Sequence, residues 1–171
     1  ELQETVYYND IVEVFLDEDG SGGMHVFDGS TNAENAFSYH ITPLGFPEEE
    51  SPVTDFRVQD IDGTGWGDNS SPDYISHFPE AILVKKGNQY YWEFSLTVFD
   101  DSYEQATSDG VGVELTLDKE LGIALAYCEA DDPENYRREM FLGSMEGNSD
   151  KLGDSDGGFL YGYNDTWQNA D

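Results

Sequence analysis

The chain has 171 residues, with 37 acidic against 7 basic side chains and a formal net charge of -30. A surface of that sign repels phosphate backbones and anionic lipid, which argues against nucleic acid and membrane as partners. The single cysteine, Cys128, rules out an intrachain disulfide, and no apolar run approaches the roughly 20 residues of a membrane-spanning helix.

Taken in chain order, the first predicted element is a strand over Ile11–Leu16. The aromatics Tyr7 and Tyr8 precede it, and Asp17-Glu18-Asp19 and a glycine-rich run from Gly20 to Gly23 follow it. Ala36–Ile41 predicts a second strand, with Phe37, Tyr39 and Ile41 on one face because strand side chains alternate. Phe56–Ile61 is a third. Ala81–Lys85 and Tyr90–Phe99 flank Lys86-Gly87-Asn88-Gln89, which has the length and composition of a hairpin turn. In the second arm Tyr90, Trp92, Phe94 and Leu96 share a face. A short helix is predicted over Asp100–Ala106, then strands over Val111–Leu117, Leu121–Cys128 and Arg138–Leu142. Cys128 ends an apolar run and reads as a small buried hydrophobe rather than a nucleophile. Seven or eight short strands with turns between them predict a single all-β domain over residues 1–171, an antiparallel β-sandwich of jelly-roll type. The stretches 17–35, 60–73 and 143–166 are then long loops, of a length usually tied to function or metal. The polar start shows no signal peptide and reads as a mature or trimmed chain.

Three kinds of chemistry are open to such a chain. Asp17-x-Asp19-Gly20 and Asp60-x-Asp62-Gly63, with Asp68 beyond, set carboxylates two apart before a glycine, and Asp154-x-Asp156-Gly157 repeats the theme. Hard oxygen donors on a tight loop suit calcium, although no full EF-hand is present. Calcium would also neutralise charge; a salt-adapted surface accounts for the acidity equally well. For catalysis, the three histidines form no HExxH motif, and no GxSxG elbow occurs. A carboxylate pair carries no signal among 37 acids. For sugars, aromatic rings stack under pyranose C–H faces and planar polar groups take the hydroxyls. Tyr7, Tyr8, Trp66 and Trp167 are the candidate platforms, and Glu13, His40, Asn164 and Gln168 the candidate polar partners. Trp92, Phe94 and Tyr39 read as core.

NDIVEVFLDEDGSGG, NAFSYHI, YYWEFSLTVFDDSY and LGIALAYCEADDPENYRREMFLGS, followed by NDTWQNAD, together resemble the family 9 carbohydrate-binding modules, in order over most of residues 7–171. The resemblance implies a two-sheet β-sandwich, structural calcium, no catalytic activity and a saccharide ligand. It also implies a bacterial protein that is secreted, periplasmic or at the cell surface, alone or beside a glycoside hydrolase. The family site clamps a sugar between two tryptophans, assisted by a glutamate, an arginine, a glutamine and an asparagine. On this chain the glutamate position falls on Glu13 and the asparagine on Asn164, with Trp167 as one clamp and Tyr7 in place of the other. The arginine position holds His40, the glutamine position holds Ala126, and Trp66 is a further platform. The family's first strands and its closing strand have no counterpart here, which implies a fragment of a longer chain. The second reading is an extracellular structural or protein-interaction sandwich with a degenerate sugar site.

Overall fold

The computed structural model describes residues 9–20, 36–49, 51–62, 77–100, 112–130, 140–144 and 168–170. The named elements among them are all strands: β1 (Ile11–Asp17), β2 (Ala36–Pro43), β3 (Phe56–Asp62), β4 (Glu80–Lys86), β5 (Gln89–Ser95), β6 (Leu121–Glu129), β7 (Met140–Gly143) and β8 (Gln168–Ala170). Every strand-to-strand ladder is antiparallel. One sheet runs β3-β2-β1-β6-β7, with β8 also paired to β6, and the β4–β5 hairpin forms a second sheet. The chain is all-β and sandwich-like, as its alternation predicts.

That alternation also decides which face is core. Val12, Val14 and Leu16 of β1 stand opposite Ile41, Tyr39 and Phe37 of β2. Phe56 and Val58 of β3 and Leu83 of β4 join the same buried cluster, with Trp92, Phe94 and Leu96 packed against it. Phe56 stacks on Trp92 at 5.1 Å between centroids, and Phe78 meets Tyr39 edge-on at 4.9 Å. Each such ring buried is worth about 1.5–3 kcal/mol, and each pair adds about 0.5–1.5 kcal/mol beyond area.

His77 lies inside this aromatic core. Its Nδ1 is 2.8 Å from Tyr39 Oη, and the rings of Phe99, Tyr39 and Phe37 stand 4.6, 5.3 and 5.7 Å from its own. Burial there lowers its pKa to about 4, because a charged imidazole has lost its water.

The differences from expectation have local causes. Asp17 and Asp62 are strand residues rather than loop residues, since β1 and β3 each run one residue past the predicted end, and Asp60 lies inside β3 as the predicted strand Phe56–Ile61 has it. β3 also carries an extra residue against β2: Ser38 faces Asp62 while His40 faces Gln59, a bulge beside His40. The predicted strand 111–117 is not formed over its described part: 112–116 carry no regular structure, and Leu117 and Asp118 lie in a turn closed by the Lys119 amide on the Thr116 carbonyl. β7 is described as Met140–Gly143, Arg138 lying outside the described residues, and β8 has no counterpart among the predicted strands. Of the predicted helix Asp100–Ala106 only Asp100 is described, and it is not helical.

Candidate functional site

β1 is the central strand, and both of its faces are covered. Six of its seven residues are buried and Val12 is half-buried. Val12, Val14 and Leu16 take the core face, which sends Ile11, Glu13, Phe15 and Asp17 to the opposite one. The neighbouring strands supply small or polar groups there. Glu13 stands opposite His40 on β2 and opposite Ala126 on β6, and Ala126 in turn stands opposite Gly143 on β7. Phe15 is flanked by Ser38 and Ala124, and Asp17 by Ala36 and Gly122.

Glu13, His40 and Cys128 form one buried polar cluster on that face. Glu13 Oε1 accepts a bond from the Cys128 thiol at 3.2 Å and lies 3.5 Å from His40 Nε2. When the imidazole is protonated the latter contact is a buried ion pair. Charges withdrawn from water are tolerated only when paired in this way. Asp10, one residue before β1, ties the cluster's strands together. Its carbonyl accepts from Thr42 Oγ1 at 2.9 Å, and its Oδ1 accepts from the Ala130 amide at 3.0 Å. On the far side Ser144 closes the edge of β6, donating its amide to the Leu125 carbonyl at 2.7 Å and accepting the Leu125 amide on Oγ at 2.9 Å.

Of the predicted sugar-site residues, Glu13 and His40 are brought side by side, with Ala126 next in the row. All three are enclosed rather than open to solvent. Tyr7, Tyr8, Trp66, Asn164 and Trp167 lie outside the described residues, and Gln168 is described only as the first residue of β8.

The predicted metal loop after β1 is split. Asp17 is buried, and Asp19 is exposed in the turn that Gly20 closes with φ +63° and an amide bond to the Asp17 carbonyl at 3.4 Å. Glu18 between them is buried and takes the Lys119 ammonium. Asp60 and Asp62 belong to the end of β3; Asp68, Asp154 and Asp156 lie outside the described residues. Among the described residues no group of three or more His, Cys, Asp or Glu is arranged to hold a metal ion.

Two features escape sequence reading. Cys128 as Glu13's hydrogen-bond donor depends on the β1–β6 register, which one sequence does not encode visibly. Tyr90 and Tyr91 are about half exposed, each with a lysine ammonium above its ring, Lys85 at 5.7 Å and Lys86 at 5.2 Å. Their place beside the hairpin turn was a signal, because the hairpin tip outruns the core. A cavity of about 440 Å³ at that tip is lined by Glu48, Glu49, Ser51, Pro52 and residues 84–87. It belongs to the second sheet and not to the Glu13 row.

Compared with models of known protein families, with curated proteins and with solved structures, the chain matches none in any of the three.

Proposed function

We propose that the chain is a non-catalytic saccharide-binding module with structural calcium, working outside the bacterial cytoplasm. The observation that supports this reading is the row His40–Glu13–Ala126. Resemblance assigns these three residues, from three distant segments, to the arginine, glutamate and glutamine positions of one sugar site. They stand opposite one another across three adjacent strands. In this reading Glu13 accepts sugar hydroxyls, His40 is a weaker substitute for a guanidinium, and Tyr7, Trp66 and Trp167 supply the stacking faces, with Asn164 on the hydroxyls. Isothermal titration against a panel of plant and algal oligosaccharides tests it. Heat with at least one sugar, lost in Trp167→Ala and in Glu13→Gln, is the expected result. No heat at millimolar sugar from the folded chain sinks the proposal.

One observation favours a second reading, an extracellular interaction domain whose sugar site has decayed. Glu13 Oε1 is already engaged by Cys128 and His40, the row is enclosed, and Ala126 offers no polar side chain. A chain that gives no heat with sugars but binds a protein partner would select this reading.

A further inference from the structure

The β4–β5 hairpin has two unlike faces. Leu83 opposite Trp92 and Ala81 opposite Phe94 turn to the core, and all four belong to the buried cluster or pack against it. Alternation sends Ile82, Val84, Lys86, Gln89, Tyr91 and Glu93 to the other face. Val84 is half-buried there and the other five are exposed, Tyr91 by 48%. The hairpin that carries this face is firmly held. Its strands pair in register from Glu80–Ser95 to Lys86–Gln89, and on the far edge of β4 Val53 and Leu83 exchange both backbone bonds at 2.9 Å. At the tip Glu49 Oε1 accepts the Gly87 amide at 3.2 Å.

Tyr91 is the centre of that face. It stands opposite Val84, and its neighbours on the same side of β5 are Gln89 and Glu93, each about 7 Å away by strand spacing. The Tyr91 hydroxyl donates to Gln89 Oε1 at 2.9 Å, which fixes the ring. Lys86, diagonally across the pair, rests its ammonium 5.2 Å from the ring centroid. Among the described residues neither Lys86 nor Glu93 makes an ion pair, and the Gln89 Nε2 donors make no hydrogen bond.

The chemistry of the face decides what it takes. A held ring half open to water suits the C–H face of a pyranose. Donors stand on the tip side, on Lys86 and Gln89, and an acceptor, Glu93, stands on the other. Sugar hydroxyls both donate and accept, so they need that complement. Lys86 and Glu93 cancel beside the ring, and a chain at -30 repels an anionic polymer, which leaves a neutral sugar. The large exposed hydrophobics of the face are Ile82 and Tyr91, too little for the apolar centre of a protein interface of about 800 Å² per partner. We propose that the outer face of the β4–β5 hairpin is a second saccharide platform. One pyranose of a neutral oligosaccharide stacks on Tyr91, Lys86 and Gln89 donate to its hydroxyls, and Glu93 accepts from them. The Lys86 ammonium leaves the ring as the sugar takes its place. This inference rests on the reading of the chain as a sugar binder and adds a site in the second sheet, open where the Glu13 row is enclosed.

The test is a lysine footprint on the full chain. An N-hydroxysuccinimide ester acetylates the lysines, mass spectrometry reads the rate at each, and Lys119, turned to Glu18, is the internal reference. The probes are neutral oligosaccharides of gluco, manno, galacto and xylo configuration, with oligogalacturonate as the acidic control. At about 10 mM, at least one neutral sugar should slow acetylation of Lys86 on the order of threefold and leave Lys119 unchanged, as occupancy of a millimolar site requires. The protection should vanish in Tyr91→Ala, return in Tyr91→Trp, which restores a stacking face, and weaken in Glu93→Gln. It should persist in Glu13→Gln and Trp167→Ala, so failure of the Glu13 site and failure of this one are told apart. Four results would overturn the inference: no protection of Lys86 by any neutral sugar, protection that survives Tyr91→Ala, equal protection by oligogalacturonate, or protection that disappears in Glu13→Gln or Trp167→Ala.

Discussion

His77 is held neutral by the fold. Its folded pKa, about 4, lies below the ordinary 6.5, so the unfolded chain takes up the proton first. The stability it confers is therefore full above pH 6.5, declines as pH falls from 6.5 to 4, and is gone below pH 4. Over that window the loss is roughly 3 kcal/mol. Urea unfolding at several pH values should show this fall, and His77→Leu should flatten it while lowering stability at neutral pH by about 1–2 kcal/mol through the lost Tyr39 bond. A variant with an unchanged pH profile would remove His77 from the account. At this scale the sequence was partly legible. Glu13 stood out as a carboxylate inside a β-branched strand, and Tyr39, Trp92 and Phe94 read correctly as core. His77 did not stand out, because what makes it special is the ring cage drawn from β2 and residues 78–99, and no local pattern records that.

Among the elements, the hairpin was the most legible. Its turn is Gly87-Asn88 between β4 and β5, with Gly87 at φ +61°. That conformation, and not crowding, is why glycine stands there, since a Cβ would meet nothing within 4 Å. Gly87→Ala should cost about 1–2 kcal/mol, and Gly87→Asn less, because asparagine tolerates the left-handed region. Thermal unfolding of both variants checks this; equal losses would contradict the backbone explanation. The β3 bulge was not legible, since a register shift depends on the partner strand. Nor was the fate of 112–117. Its alternation reads as a strand, yet its described residues form none, because whether a strand finds a neighbour is a property of the layer and not of the segment.

For the whole molecule, charge is the dominant fact. At -30 the folded chain repels itself, and screening or bound cations must relieve that. Raising sodium chloride from about 0.1 M to about 1 M shortens the screening length from about 10 Å to about 3 Å and should raise the melting temperature. The calcium proposal asks for more. Millimolar calcium should raise the melting temperature beyond magnesium at equal ionic strength, and EDTA should reverse the gain, by linkage to the folded state. If calcium and magnesium act alike, the acidity is a general surface property and the metal leaves the argument. The all-β architecture was legible because periodicity and turn residues are local. The pairing order of the sheet was not, because β1 pairs with β6 across most of the chain's length, and no local pattern records that.

That pairing has one more consequence. The thiol of Cys128 is buried against a carboxylate 115 residues away in the chain, and it is the molecule's only cysteine. A thiol reagent reaches it only when β1 and β6 part or when whatever encloses the Glu13 row moves aside. The chain therefore carries its own chemical clock: the rate at which Cys128 is labelled measures how often this face opens, with no engineered probe and no competing site.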